Sequence, residues 1–172
     1  PNRDLTWIFY DHEEVTAEEN ALTRVAREHP EWLAGDFAVL MEPTGAQVEG
    51  GCQGTLRFTV TTTGRAAHSA RSWLGHNAIH DAADVLARLA GYRAREVEVD
   101  GLRYREGMNA VGIAGGIAGN VIPDACTVTV NFRFAPDRDE ADALAHCREV
   151  MDGYELTFID FALGARPGLD RP

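Results

Sequence analysis

Leu56-Arg57-Phe58-Thr59-Val60-Thr61 sets three apolar side chains against three polar ones in strict alternation. Successive side chains of a strand point to opposite faces. The six residues therefore predict a strand with one face against a core and one toward water, as in an antiparallel sheet covered on one side. Downstream, Asn77 to Tyr92 predicts a helix with Ile79, Ala83, Leu86, Leu89 and Ala90 on its apolar face. Two strands are expected at Asn109 to Ile117 and Cys126 to Phe134, joined by Ala118-Gly119-Asn120-Val121-Ile122-Pro123-Asp124. Asp139 to Met151 reads as a second helix and Tyr154 to Phe161 as a fourth strand. Strand, helix, strand, strand, helix, strand is the ferredoxin-like split β-α-β order, an α+β unit.

Upstream the pattern differs. Leu5-Thr6-Trp7-Ile8-Phe9 and Phe37-Ala38-Val39-Leu40-Met41 are apolar runs, as expected of strands buried on both faces. The first leads into Tyr10-Asp11-His12-Glu13-Glu14-Val15, and the second ends in Glu42 before the turn Pro43-Thr44-Gly45. Residues 16–34 predict a connecting helix, with Thr16 as N-cap, Glu19 at capping-box spacing and Pro30 marking its end or a kink. This is a β-α-β unit with a right-handed crossover, separated from the α+β unit near Gly51 to Gly54. The expected layout is 1–52 as an α/β piece, 53–163 as the ferredoxin-like unit and 164–172 as a linker.

The 172 residues carry a formal net charge of -11 and no basic run, which disfavours nucleic acid and anionic membrane as partners. No apolar stretch approaches the roughly 18 residues of a membrane span. Cys52, Cys126 and Cys147 form no C-x-x-C pair and are expected to be reduced, buried thiols of a cytoplasmic protein.

The chemistry-bearing residues gather at predicted strand ends, where open α/β sheets place their sites. Neighbouring residues leaving a strand point apart, so one of Glu13 and Glu14 can hold a metal while the other takes a proton. Glu42 offers a second carboxylate. Oxygen-rich ligation with His suits zinc, manganese or cobalt; acidic residues in a solvated loop are the alternative. His68 lies in the loop Gly64-Arg65-Ala66-Ala67-His68-Ser69-Ala70, and His76 and His80 are read as structural. Asn120 is either turn chemistry or a ligand group. Arg133 is either ion-paired or a carboxylate clamp.

Asp11-His12-Glu13-Glu14, Glu42-Pro43-Thr44, the Gly64 to Ala70 loop, Gly75-His76-Asn77-Ala78-Ile79, Gly119-Asn120-Val121-Ile122-Pro123-Asp124 and Asn131-Phe132-Arg133 together resemble the zinc-dependent aminoacylase and carboxypeptidase family. Gly51 to Arg57 and Phe132 to Arg138 are similar to an actinobacterial subgroup that removes succinate from N-succinyl-LL-2,6-diaminopimelate, a step toward lysine. The resemblance implies that Glu13 is the general base, and that Glu14 and Glu42 ligate different ions of a two-zinc centre, with cobalt as a substitute. It implies that His68 is a lid histidine reaching a partner subunit's site in a homodimer, and that Asn120 and Arg133 bind substrate. Residues 1–52 would belong to the catalytic domain and 53–163 to the lid, or dimerisation, domain.

The family's early His-x-Asp, its bridging Asp and its late His ligand have no counterpart in these residues. The chain is therefore expected to be a fragment of a longer enzyme, its zinc site unfilled and its activity absent in isolation. Another metal-dependent N-acyl-amino-acid deacylase or metallopeptidase of the same family is one alternative, and a non-catalytic dimerisation module is another.

Overall fold

The alternation that begins at Leu56 becomes strand β1 (Gly54–Thr63), whose apolar members Leu56, Phe58 and Val60 are all buried. The computed structural model describes residues 4–13 and 19–169. It divides into two units, Pro1–Gln47 and Val48–Pro172.

In the second unit the elements run β1, β2 (Ala67–His68), α2 (Ala78–Ala90), β3 (Glu96–Val99), β4 (Leu102–Arg105), β5 (Gly107–Gly115), β6 (Val121–Ile122), β7 (Ala125–Phe134), α3 (Glu140–Val150) and β8 (Leu156–Ala162), while α1 (Ala21–Glu28) belongs to the first unit. The main sheet has the order β5-β7-β1-β8 and every pairing in it is antiparallel. With α2 after β1 and α3 after β7, this is the ferredoxin-like arrangement expected from the alternation. The strands β1 and β7 form its centre through an unbroken ladder from Gly54↔Phe134 to Thr63↔Ala125.

One sheet face is covered. Ala78, Ala82, Val85 and Leu89 of α2 and Ala143 and Cys147 of α3 join Leu56, Phe58, Val60, Val128, Val130 and Phe132 in a single core. The buried face of α2 is therefore rotated from the expected one: Ile79, Ala83, Leu86 and Ala90 are exposed and only Leu89 is shared. Small Ala residues let α2 approach the sheet, and the larger Ile79 and Leu86 fall at its flank. Asn77 caps α2, its side chain accepting from Ile79 N at 2.9 Å. Thr62, buried in β1, donates to the Ala78 carbonyl at 2.7 Å and so fastens the first turn of α2 to the sheet. Cys126 and Cys147 are buried free thiols, and burial pushes Cys147 up to about 12; Cys52, against expectation, is exposed.

The hairpin β3–β4 was not anticipated. Its turn is Asp100-Gly101, both at positive φ (50° and 82°), the backbone of a two-residue turn that Asp-Gly favours. Val99 and Tyr104 pack with Ala135 into a second small core. Between hairpin and sheet lies Glu106, 2 % exposed. It accepts from Arg138 Nε at 2.7 Å, Arg95 Nη2 at 2.9 Å and Ala135 N at 3.2 Å. Burial alone would raise the Glu106 carboxyl, but the two guanidinium groups and the backbone N–H outweigh it and hold it below its ordinary value.

The first unit departs from expectation. Neither Leu5–Phe9 nor Phe37–Met41 forms a strand, and Leu5, Trp7, Phe9, Phe37, Val39 and Met41 are exposed. The expected β-α-β arrangement is thus not formed among the described residues: a strand exists only when at least one neighbouring strand pairs with its backbone, and these runs have none there. The helical part is shorter than expected. The helix α1 spans Ala21–Glu28 and a 3-10 turn follows at Pro30–Leu33. Its N-cap is Asn20, which accepts from Leu22 N at 2.8 Å; the expected cap, Thr16, lies outside the described residues. No helix among the described residues is long and apolar enough to cross a membrane.

Replacing Glu106 with Gln leaves the half-buried Arg138 guanidinium short of its counter-charge, while Arg95 keeps Asp137, and about 1.5–3 kcal/mol of stability should be lost. A carboxyl lowered on folding stabilises above its unfolded value near 4.3, and that contribution disappears as pH falls through the lower folded value. Urea unfolding across acid pH should show this loss in the parent chain and not in Glu106→Gln.

Candidate functional site

The loop after β1 is closed at its base. Arg65 and His76 form an isolated antiparallel bridge, with Arg65 N donating to His76 O at 2.8 Å and His76 N to Arg65 O at 2.9 Å. Gly64 is required beside it, because a Cβ there would overlap the His76 carbonyl oxygen and lie 2.9 Å from Ala78 N. His76 Nε2 also meets Asp81 Oδ2 at 2.6 Å, tying the loop base to α2. This agrees with a structural role for His76.

Within the loop, β2 pairs with β6, Ala67 opposite Ile122 and His68 opposite Val121. Ser69 N donates to the Asn120 carbonyl at 2.8 Å. His68 is exposed, with Nδ1 accepting from Ala70 N at 3.1 Å, an interaction that leaves Nε2 as the outward nitrogen. Asn120 is exposed beside it. Two residues far apart in sequence thus share one rim, joined to each other by backbone hydrogen bonds.

Arg133 is carried by β7 on the uncovered face of the sheet, opposite Thr55 of β1 and Gly107 of β5. Its Nη2 lies 3.4 Å from the Gln53 carbonyl. Around it is a shallow depression of about 500 Å³ lined by Thr55, Arg57, Val111, Thr129, Asn131 and Arg133. Thr55, Arg57 and Asn131 were not singled out from sequence, although the period-two pattern already put Arg57 on the face away from the core.

The carboxylates belong to the other unit. Glu13 and Glu42 are both exposed there, and Glu14 lies outside the described residues. Among the described residues no three His, Cys, Asp or Glu side chains converge as a metal would require. The donors among the described residues do not by themselves fit a zinc centre, which takes at least three protein ligands.

The chain is 57% identical over its whole length to a Mycobacterium tuberculosis protein provisionally named succinyl-diaminopimelate desuccinylase DapE, and covers 49% of it. It is 52% identical to the succinyl-diaminopimelate desuccinylase of Corynebacterium glutamicum, with 96% of this chain and 46% of that protein aligned. The chain spans about half the length of these curated relatives. Among solved structures, a tripeptidase from Staphylococcus aureus matches with a TM-score of 0.58 at 17% identity, over 84% of this chain and 39% of that one. An aminobenzoyl-glutamate utilization protein from Klebsiella pneumoniae matches at 0.53 and 23% identity, over 69% and 31%. Both likenesses concern the fold alone. Residues 51–155 match the peptidase dimerisation domain, and the chain belongs to that family.

Proposed function

We propose that, in the full-length protein, this chain contributes to a cytoplasmic metal-dependent amide hydrolase that removes succinate from N-succinyl-LL-2,6-diaminopimelate. Residues 1–52 belong to its catalytic domain, 53–163 form the lid and dimerisation domain, and 164–172 lead back. The observation that carries the reading is the rim on which His68 and Asn120 are fixed by the β2–β6 pairing. It supports a histidine presented outward from a braced loop rather than one used in packing. Identity above half to relatives named as desuccinylases supports the substrate.

The residues then divide the work. Glu13 takes a proton from the attacking water and passes it to the leaving amine. His68 of the partner subunit donates to the oxyanion of the tetrahedral intermediate. Asn120 and Arg133 hold the substrate, Arg133 through a carboxylate. Two zinc ions per subunit, with cobalt as a substitute, belong to the same proposal. Glu14 and Glu42 are this chain's contributions to them, and the remaining donors must come from elsewhere in the protein.

A homodimer through the lid is supported by β5. It is an edge strand, and Met108 to Ile117 contain no charged residue. Val111, Ile113 and Ile117 are 60%, 54% and 87% exposed. An edge this long, apolar and uncharged invites pairing unless something covers it. Ile79 and Leu86 of α2, which packs over β5, extend the same apolar strip. This edge also favours a second reading, in which the chain serves only as a dimerisation module.

One experiment separates the readings and a second tests the edge that they share. The full-length protein should hydrolyse N-succinyl-diaminopimelate in preference to N-acetylated amino acids, and Glu13→Gln should lower turnover by about 10²–10⁴-fold with metal content unchanged. A variant with full rate sinks the base assignment, and a full-length protein inactive on every N-acyl substrate leaves the module. In sedimentation velocity, Ile113→Lys should weaken self-association by roughly tenfold or more.

A further inference from the structure

We infer that Arg57 is a second anion-binding residue, and that Arg57 and Arg133 together clamp a small dicarboxylate on the uncovered face of the sheet. The inference rests on the proposed function and deepens it, since it names what distinguishes the acyl group. The two arginines are set by register. Arg133 stands opposite Thr55, and Arg57 opposite Asn131. They are therefore diagonal neighbours on adjacent strands, about 7–8 Å apart at the backbone, and both line the depression of about 500 Å³.

Like charges so placed repel across a ladder. The remaining lining, Thr55, Thr129, Asn131 and Val111, supplies no carboxylate. Asp160, opposite Arg57 on β8, reaches it only at 4.0 Å, with Arg57 exposed (47%) and Asp160 partly so (34%). Such a contact is worth little and leaves the guanidinium fork available. Arg133 likewise makes only a 3.4 Å contact to a backbone carbonyl. In a chain of net charge -11, two adjacent guanidinium groups among hydroxyls and an amide are complementary to a small anion with two charged ends. In free succinate each fork can take one carboxylate with two parallel hydrogen bonds; in an N-succinyl substrate, whose acyl group keeps a single free carboxylate, Arg57 takes that one and Arg133 a carboxylate of the amino-acid part. The hydroxyls of Thr55 and Thr129 can donate to the same oxygens.

The probe is succinate, titrated calorimetrically into the full-length protein, with acetate as the one-carboxylate control. Arg57→Ala should weaken succinate at least about tenfold and leave acetate unchanged. Arg57→Lys, which keeps the charge and loses the fork, should fall between. In hydrolysis, Arg57→Ala should raise KM for an N-succinyl substrate with kcat nearly unchanged, and leave KM for its N-acetyl analogue alone. The inference is overturned if Arg57→Ala binds succinate like the parent, if the parent does not bind it, or if KM rises equally for both acyl groups. Absence of hydrolysis of any N-succinyl substrate would instead remove the functional reading, and the succinate titration would still decide the role of Arg57.

Discussion

The antiparallel ladder between β1 and β7 constrains everything else in the larger unit. Side chains on paired strands alternate between faces, so a slip of one residue would exchange the two faces completely. In the observed register Leu56, Phe58 and Val60 and Val128, Val130 and Phe132 all turn toward α2 and α3. The same register leaves Thr55, Arg57, Thr129, Asn131 and Arg133 on the other side. Core formation and the polar platform are thus one decision. The hydrophobic side supplies the energy, and the polar side inherits its geometry without having to stabilise itself.

Around that sheet, polar contacts act where apolar packing is thin. The hairpin β3–β4 has a small core of its own, and Glu106 with Arg95 and Arg138 joins it to the main body. The loop bearing His68 has no buried apolar residue between Arg65 and His76. Its shape comes from the Arg65–His76 bridge, the β2–β6 pairing and the His76–Asp81 contact. An exposed side chain can be positioned firmly when the backbone on both sides of it is paired, and His68 is such a case.

The α+β unit was legible because its signals are local. Alternation in β1 and β7, a helical stripe and Gly-rich connections each report on the residues that carry them. The β3–β4 hairpin carries a local signal too, Asp100-Gly101 between alternating Val97, Val99, Leu102 and Tyr104. The face of α2 was misjudged because hydrophobicity favoured Ile79 and Leu86, whereas close packing favoured Ala78 and Ala82. The strands expected around Trp7 and Val39 could not be tested by local pattern: whether an apolar run becomes a strand depends on partners far away in sequence. For the same reason His68 and Asn120 emerged as neighbours only with the pairing in hand.

One further feature concerns how such a unit travels between proteins. Cys52 and Ala165 pair through two backbone hydrogen bonds, Cys52 N to Ala165 O at 2.8 Å and Ala165 N to Cys52 O at 2.9 Å. Tyr104 donates to the Gly50 carbonyl at 2.7 Å, and Arg166 pairs with Asp100. The chain therefore enters and leaves the ferredoxin-like body at one point, with both strands fastened to the same hairpin. A body with a single doorway behaves as an insertion cassette: it can be spliced into a surface loop of a host while the host's flanking residues stay side by side. Folding of the host and folding of the insert are then nearly independent, and either can change its sequence without re-spacing the other.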